Sequence, residues 1–230
     1  FLKMSLILLV VGIFQINVYG YQVSKTSEGI EIKWDTGDVT FHINTSEGPA
    51  QSLSAIQLAM QTWTDVNTSY FTFVYGGTTT STAYGTEDGI NIVGFGPMGA
   101  AGTLAESTFW YYADSGYIID SDIKFNTDYT WGTDGSAGVY DVQNVGAHEL
   151  GHSLSLDDIY DAADSEKTMY GYVSTGETKK RTLHQDDIDG ISYLYPAIVS
   201  FWNLGDMNKD GIVDISDVIL ELRMALKIDP

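Results

Sequence analysis

The sequence predicts an α+β domain. Two observations carry that expectation: short runs in which apolar and polar residues alternate, as on half-buried strands, and separate runs whose apolar residues recur every three or four positions, as on helices. Ile30, Ile32 and Trp34 form the first alternating run, and Val39, Phe41 and Ile43 the second. Pro49 and Ser52 are helix-start signals, and Leu53, Ile56, Met60 and Trp63 then follow at the spacing of an amphipathic helix. Phe71, Phe73 and Tyr75 alternate again, residues 76–81 read as a Gly/Thr loop, and residues 90–93 and 118–125 read as two more strands. Residues 94–102 and 128–138 are glycine-heavy loops expected to surround a cleft and to bind ions. Residues 141–154 predict a second helix, with Asp141 as its N-cap, Val145, Leu150 and Leu154 as its apolar spacing, and no Pro to interrupt it.

That second helix carries His148, Glu149, Leu150, Gly151 and His152. Two imidazoles four residues apart project from one helical face and can grip a single metal ion. With four His and nine Glu in the chain, chance supplies about 0.003 such patterns, so coincidence explains it poorly. A catalytic zinc needs three protein ligands and an open position for water, so a third donor must come from beyond the helix end. Asp158, six residues after His152, is placed to return to the ion if the chain turns back sharply, and Asp157 is the substitute. Asp157, Asp161 and Asp164 also form an acidic cluster with Asp158, compatible with solvated charge or calcium. Glu149 cannot easily reach the same ion but can point at its open position, which suits a general base acting on water that zinc makes acidic. No cysteine is present, so a thiol nucleophile is excluded. His42 and His184 have no partner at metal spacing and read as ordinary polar residues.

The run from His148 to Asp158, followed by Thr168, Met169 and Tyr170, resembles the metzincin metallopeptidases, and its surroundings are most similar to the matrixin branch. Ile32 to Trp34, Ala59 and Trp63, Leu104 and Ala105, and Asp186, Asp187, Ile191 and Tyr195 extend the resemblance over residues 30–197. It implies a twisted mixed sheet packed on two long helices, the active-site helix, and a C-terminal helix after the Met-turn. It further implies that Met169 is an apolar floor and not a ligand, that Leu104, Ala105 and Tyr170 border the substrate, and that the substrate is a polypeptide lying extended along an edge strand. Ser155 departs from the family's usual Gly at a left-handed turn, at a cost of roughly 1 kcal/mol or more. Asp158 departs from its commoner third His, giving a harder donor set that still suits zinc. Glu106 stands where a histidine of the family's structural zinc site is expected, so a single zinc is predicted. Asp120 and Asp122 read as calcium ligands or as surface charge.

A formal net charge of −20 repels phosphates and anionic lipid, which argues against nucleic-acid or membrane-surface partners. Lys3 and the apolar residues 4–14 read as a signal peptide cut after Gly20, hence secretion, with an uncleaved anchor as the alternative; residues 21–29 read as a short polar linker, and a monomer is expected. Near the C-terminus, Asp206, Asn208, Asp210, Ile212 through its carbonyl, Asp214 and Asp217 occupy calcium-loop positions before an apolar helical run. Residues 198–230 thereby resemble one repeat of a dockerin, which implies calcium and a cohesin-bearing scaffold as partner. The expectation is a secreted zinc endopeptidase with a docking segment. The competing reading is a non-catalytic, calcium-dependent binding protein with a structural zinc site, against which the intact Glu149 speaks.

Overall fold

The computed structural model describes residues 20–99, 102–197, 212 and 214–225. In chain order the elements are β1 (Lys33–Trp34), β2 (Asp38–Asn44), α1 (Ser52–Thr64), β3 (Thr72–Thr78), β4 (Ile92–Gly96), β5 (Ala105–Tyr111), β6 (Tyr117–Asn126), β7 (Trp131–Gly132), β8 (Tyr140–Asp141), α2 (Val142–Ser153), α3 (Gln185–Leu194) and α4 (Ile215–Ala225). The main sheet runs β1-β6-β4-β2-β3 with every pair on that path parallel, and β5 pairs antiparallel with β6. Helices and strands are therefore both present as the sequence pattern predicts, and the sheet is mixed, as the resemblance implies. No helix among the described residues is long and apolar enough to cross a membrane.

Parallel strands are buried on both faces, and β4 is buried along its whole length. Its apolar signal is interrupted by Gly94 and Gly96, which is why the sequence places a strand at 90–93 and the structure at 92–96, leaving Ile90 exposed. A side chain at Gly94 would lie 2.7 Å from the Asn44 carbonyl. Helix α1 lays Ala55, Ile56, Ala59, Met60 and Trp63 onto the core and against α2. The buried Trp63 indole donates to the Ala147 carbonyl at 2.7 Å, and that of Trp34 to the Ser153 carbonyl at 2.8 Å, so two tryptophans tie α2 to the rest of the domain.

Two local expectations are corrected. Residues 21–29 are not a free link: Val23 bridges Leu156, Ser24 N donates to the Ser155 carbonyl at 3.0 Å, and Tyr21 N donates to Asp186 at 3.1 Å. Their partners lie more than 130 residues away in the chain, so no local pattern announces them. Asp120 and Asp122 are buried, not surface charges. Asp122 accepts from the backbone N–H groups of Gly85, Thr86 and Ile92, and Asp120 from those of Asp88 and Gly89, so both pin the loop before β4. Burial pushes the Asp122 carboxyl up to about 6.

The signal-peptide residues 1–19 and three predicted calcium ligands, Asp206, Asn208 and Asp210, lie outside the described residues. Of the others, Asp214 and Asp217 cap the start of α4: Asp217 accepts from Asp214 N at 2.8 Å and Asp214 from Ser216 N at 2.8 Å. The Ile212 side chain is exposed.

Candidate metal centre

Helix α2 begins as the sequence indicates, with Asp141 accepting from Asn144 N at 2.9 Å. Its start is fastened twice more, because Arg181 donates to both Asp141 oxygens at 2.9 and 2.5 Å. The helix ends where Ser155 takes a left-handed φ of 71°, with Ser155 N bonded to the His152 carbonyl at 2.7 Å and Leu156 N to the Gly151 carbonyl at 3.0 Å. That reversal swings residues 156–158 back across the helix face carrying the imidazoles.

His148 Nδ1 stands 2.7 Å from the Thr168 carbonyl and His152 Nδ1 stands 2.8 Å from the Leu156 carbonyl. A carbonyl only accepts, so both Nδ1 atoms carry the proton and both Nε2 atoms present lone pairs. Those two Nε2 atoms are 3.2 Å apart, and Asp158 Oδ1 lies 3.2 Å from one and 3.6 Å from the other. Asp158 Oδ1 is buried without a hydrogen-bond donor. Three acceptors facing one another without a proton between them are mutually repulsive, and a cation resolves that repulsion. A tetrahedral ion with bonds of 2.0–2.1 Å sets its ligands about 3.3 Å apart, so the donor set fits zinc in both chemistry and spacing. Among the described residues this is the only cluster of three or more His, Cys, Asp or Glu with ligand atoms so gathered.

Burial drives the His148 imidazole down to about 4, which keeps it neutral and able to ligate at neutral pH. Burial opposes ionisation of Asp158, yet the adjoining His148, His152 and the Tyr160 hydroxyl outweigh it and hold the carboxyl at about 2. Glu149, one residue along the helix from His148, is also buried, and desolvation pushes its carboxyl up to about 7. It lines the same cavity of about 490 Å³ as His148, His152 and Asp158.

Leu104 and Ala105 border that cavity together with Glu106 and Ser107, at the start of β5. Gly102 and Tyr129, one from each glycine-heavy loop, line it as well, as does Tyr140. Met169 is buried under α2: a Cβ on Gly151 would lie 2.3 Å from its sulfur, which is why the motif's Gly151 has no side chain. Tyr170 is not among the lining residues; its ring faces Tyr172 at 5.6 Å. Asp157 is turned elsewhere, bonded to the Ser24 hydroxyl. Nor do the neighbouring acids form a free cluster, since Asp161 accepts from Ala163 N and Asp164 pairs with Lys167 at 2.9 Å. His184 caps α3.

The sequence reading missed several contributors. Asp187 accepts from Thr168 N at 2.9 Å, Met169 N at 3.1 Å and His184 N at 2.9 Å, fixing the Met-turn to α3. Lys180 is buried, lines the cavity and donates to the Tyr170 carbonyl, and burial pulls its ammonium down to about 8. Its 3.5 Å approach to His148 Nδ1 is a contact between two donors, since that nitrogen's proton is committed to Thr168. Tyr160 donates to Asp158 Oδ2 at 2.8 Å. Only the acid pair at 186–187 had a sequence signal; a lysine in a polar run and a tyrosine in an acidic one had none.

The family model for Matrixin, peptidase family M10, matches residues 33–196. Over 170 residues the chain is 35% identical to stromelysin-1 of Mus musculus, covering 71% of this chain and 33% of that protein. Over 191 residues it is 30% identical to matrix metalloproteinase-18 of Xenopus laevis, covering 80% of this chain and 36% of that one. The chain thus spans about a third of the length of these curated relatives. The solved structure of myroilysin aligns at 15% identity over 71% of this chain and 82% of its own, with a TM-score of 0.43.

Proposed function

Because the chain belongs to the matrixin family of peptidases, we propose that it is a zinc-dependent metalloendopeptidase in which His148, His152 and Asp158 hold the ion and Glu149 is the general base. The observation that carries this reading is the convergence of three lone-pair atoms within 3.6 Å of one another beside a buried glutamate. When bound, zinc supplies Lewis acidity, lowering the pKa of water toward neutrality and polarising the scissile carbonyl. Glu149 takes a proton from the attacking water; oxygen bonds to the carbonyl carbon, the C–N bond breaks, and Glu149 returns the proton to the leaving amine. A carboxyl raised by burial toward 7 is matched to both transfers near neutral pH.

The substrate is a polypeptide. Among the described residues β5 pairs only with β6, so its other edge offers backbone groups beside the cavity on which an extended chain can lie. The finer features rest on the sequence: secretion through residues 1–20, a catalytic domain over residues 30–197, and calcium binding at Asp206, Asn208, Asp210, Ile212, Asp214 and Asp217, with docking to a cohesin-type scaffold.

Glu149→Gln tests the core of the proposal. Zinc content is expected to stay at one ion per chain while peptide hydrolysis is lost. Undiminished hydrolysis in that variant removes Glu149 as base, and zinc bound with no turnover of any peptide by the unaltered chain favours the binding-protein reading.

A further inference from the structure

We propose that Tyr160 is the positioning residue of this metal centre: by holding Asp158 Oδ2 it presents Oδ1 alone to the ion. This rests on the reading of His148, His152 and Asp158 as the ligands. The Asp158 carboxylate is divided between two environments. Oδ1 faces both imidazoles, buried and without a donor, whereas Oδ2 takes the Tyr160 hydroxyl at 2.8 Å. A carboxylate with both oxygens free is able to turn and clamp an ion through both, which consumes the open position that water needs. With Oδ2 engaged by a phenol, rotation about the carboxylate axis breaks a charge-assisted hydrogen bond, and single-oxygen ligation is favoured.

The tyrosine is seated for this task and not for core packing. Its side chain is more than half exposed, at 57%, yet it is held from two sides. Its ring meets that of Tyr172 edge-on at 5.4 Å. On another side lies Gly171, where an added Cβ would come 2.4 Å from Tyr160 Cε1 and 3.0 Å from Asp158 Oδ1. Gly171 is not among the positive-φ glycines, so the backbone there does not demand glycine. What demands it is the close approach of the tyrosine ring and the carboxylate. Residues 159 and 171 are joined through the Gly171 N–H to the Ile159 carbonyl at 3.0 Å, so the ring, the glycine and the carboxylate keep their spacing through the backbone.

The test measures metal binding directly on the full chain. Zinc affinity is read by competition with a chelator, and cobalt(II) is loaded in place of zinc to record its visible absorption. Tyr160→Phe keeps the ring and removes the hydroxyl. It is expected to weaken zinc about 10- to 100-fold and to lower the cobalt absorptivity as a second carboxylate oxygen enters the coordination shell. Gly171→Ala displaces the ring and is expected to act in the same direction, which covers the case in which either variant alone is poorly folded. Tyr112→Phe, at an exposed tyrosine away from the cavity, is expected to leave both readouts unchanged. Zinc affinity within threefold of the parent in both site variants, with an unaltered cobalt spectrum, overturns the proposal. Failure of the parent chain to bind zinc at all overturns instead the ligand assignment on which it rests.

Discussion

The helix that carries His148 and His152 and the segment that brings Asp158 to them are built on opposite principles. The helix is local: an N-cap at Asp141 and i to i+4 spacing put both imidazoles on one face, and of the carbonyls that hold their Nδ1 atoms only that of Thr168 comes from further along the chain. The return segment is almost wholly non-local. Leu156 bridges Val23, Asp157 bonds Ser24, Ile159 bridges Tyr170, and the turn that starts it holds Ser155 in the left-handed region. Two of the three proposed ligand atoms are thus supplied by secondary structure, and the third by tertiary contacts from both ends of the domain. Zinc affinity should accordingly be robust to changes in the helix surface and sensitive to changes around residues 155–171.

The largest expected effect separates the two aspartates of the return segment. Asp158→Ala should weaken zinc by about 1,000-fold or more, beyond the range of losing a residue that only supports a ligand, whereas Asp157→Ala, which removes only the bond to Ser24 that steadies the segment, should weaken it far less. The reverse ranking in a chelator titration exchanges their roles. Next comes the non-local support itself. Asp187→Ala strands the N–H groups of Thr168, Met169 and His184, for a loss of about 3 kcal/mol or more in denaturant unfolding; a midpoint unmoved by the change contradicts the pinning of the Met-turn.

The pH dependence sharpens the helix side. As the proposed base, Glu149 would act only when ionised, and its carboxyl is raised to about 7 by burial. Below that value the protonated fraction grows, so kcat/KM should fall tenfold per pH unit on the acid side. A bound dication draws the carboxyl lower, so the limb belongs at or below 7. A limb that persists unchanged in Glu149→Gln assigns it to another group. The smallest effect has the opposite sign. Ser155 is left-handed at φ 71° with its hydroxyl buried and unpartnered, so Ser155→Gly should stabilise the fold by about 1 kcal/mol or more. A lower Tm in that variant refutes the strain argument.

The same contrast explains what the sequence disclosed. Helix α1, helix α2 and its N-cap, and strands β2 and β6 were legible because their signals are periodic and local. The left-handed turn at Ser155 was legible only through the resemblance, since serine carries no turn signal of its own there. Strand β4 was displaced because its glycines serve close packing and hide its apolar pattern. The packing of residues 21–26, the pinning by Asp187 and the burial of Lys180 each depend on contacts between positions distant in the chain or on side-chain direction, neither of which has a period to read. Tyr160 shows the limit most clearly: it stands two residues from Asp158 among aspartates, and nothing in that spacing directs its hydroxyl to Asp158 Oδ2.

The most direct measurement is X-ray absorption at the zinc edge on the zinc-loaded full chain beside Asp158→Ala. Four-coordinate zinc with nitrogen and oxygen neighbours at about 2.0–2.1 Å and scattering from two imidazoles, with zinc lost or its shell rebuilt in the variant, is the predicted result. Three imidazoles around the ion, or an identical spectrum and stoichiometry without Asp158, would contradict the assignment of the centre.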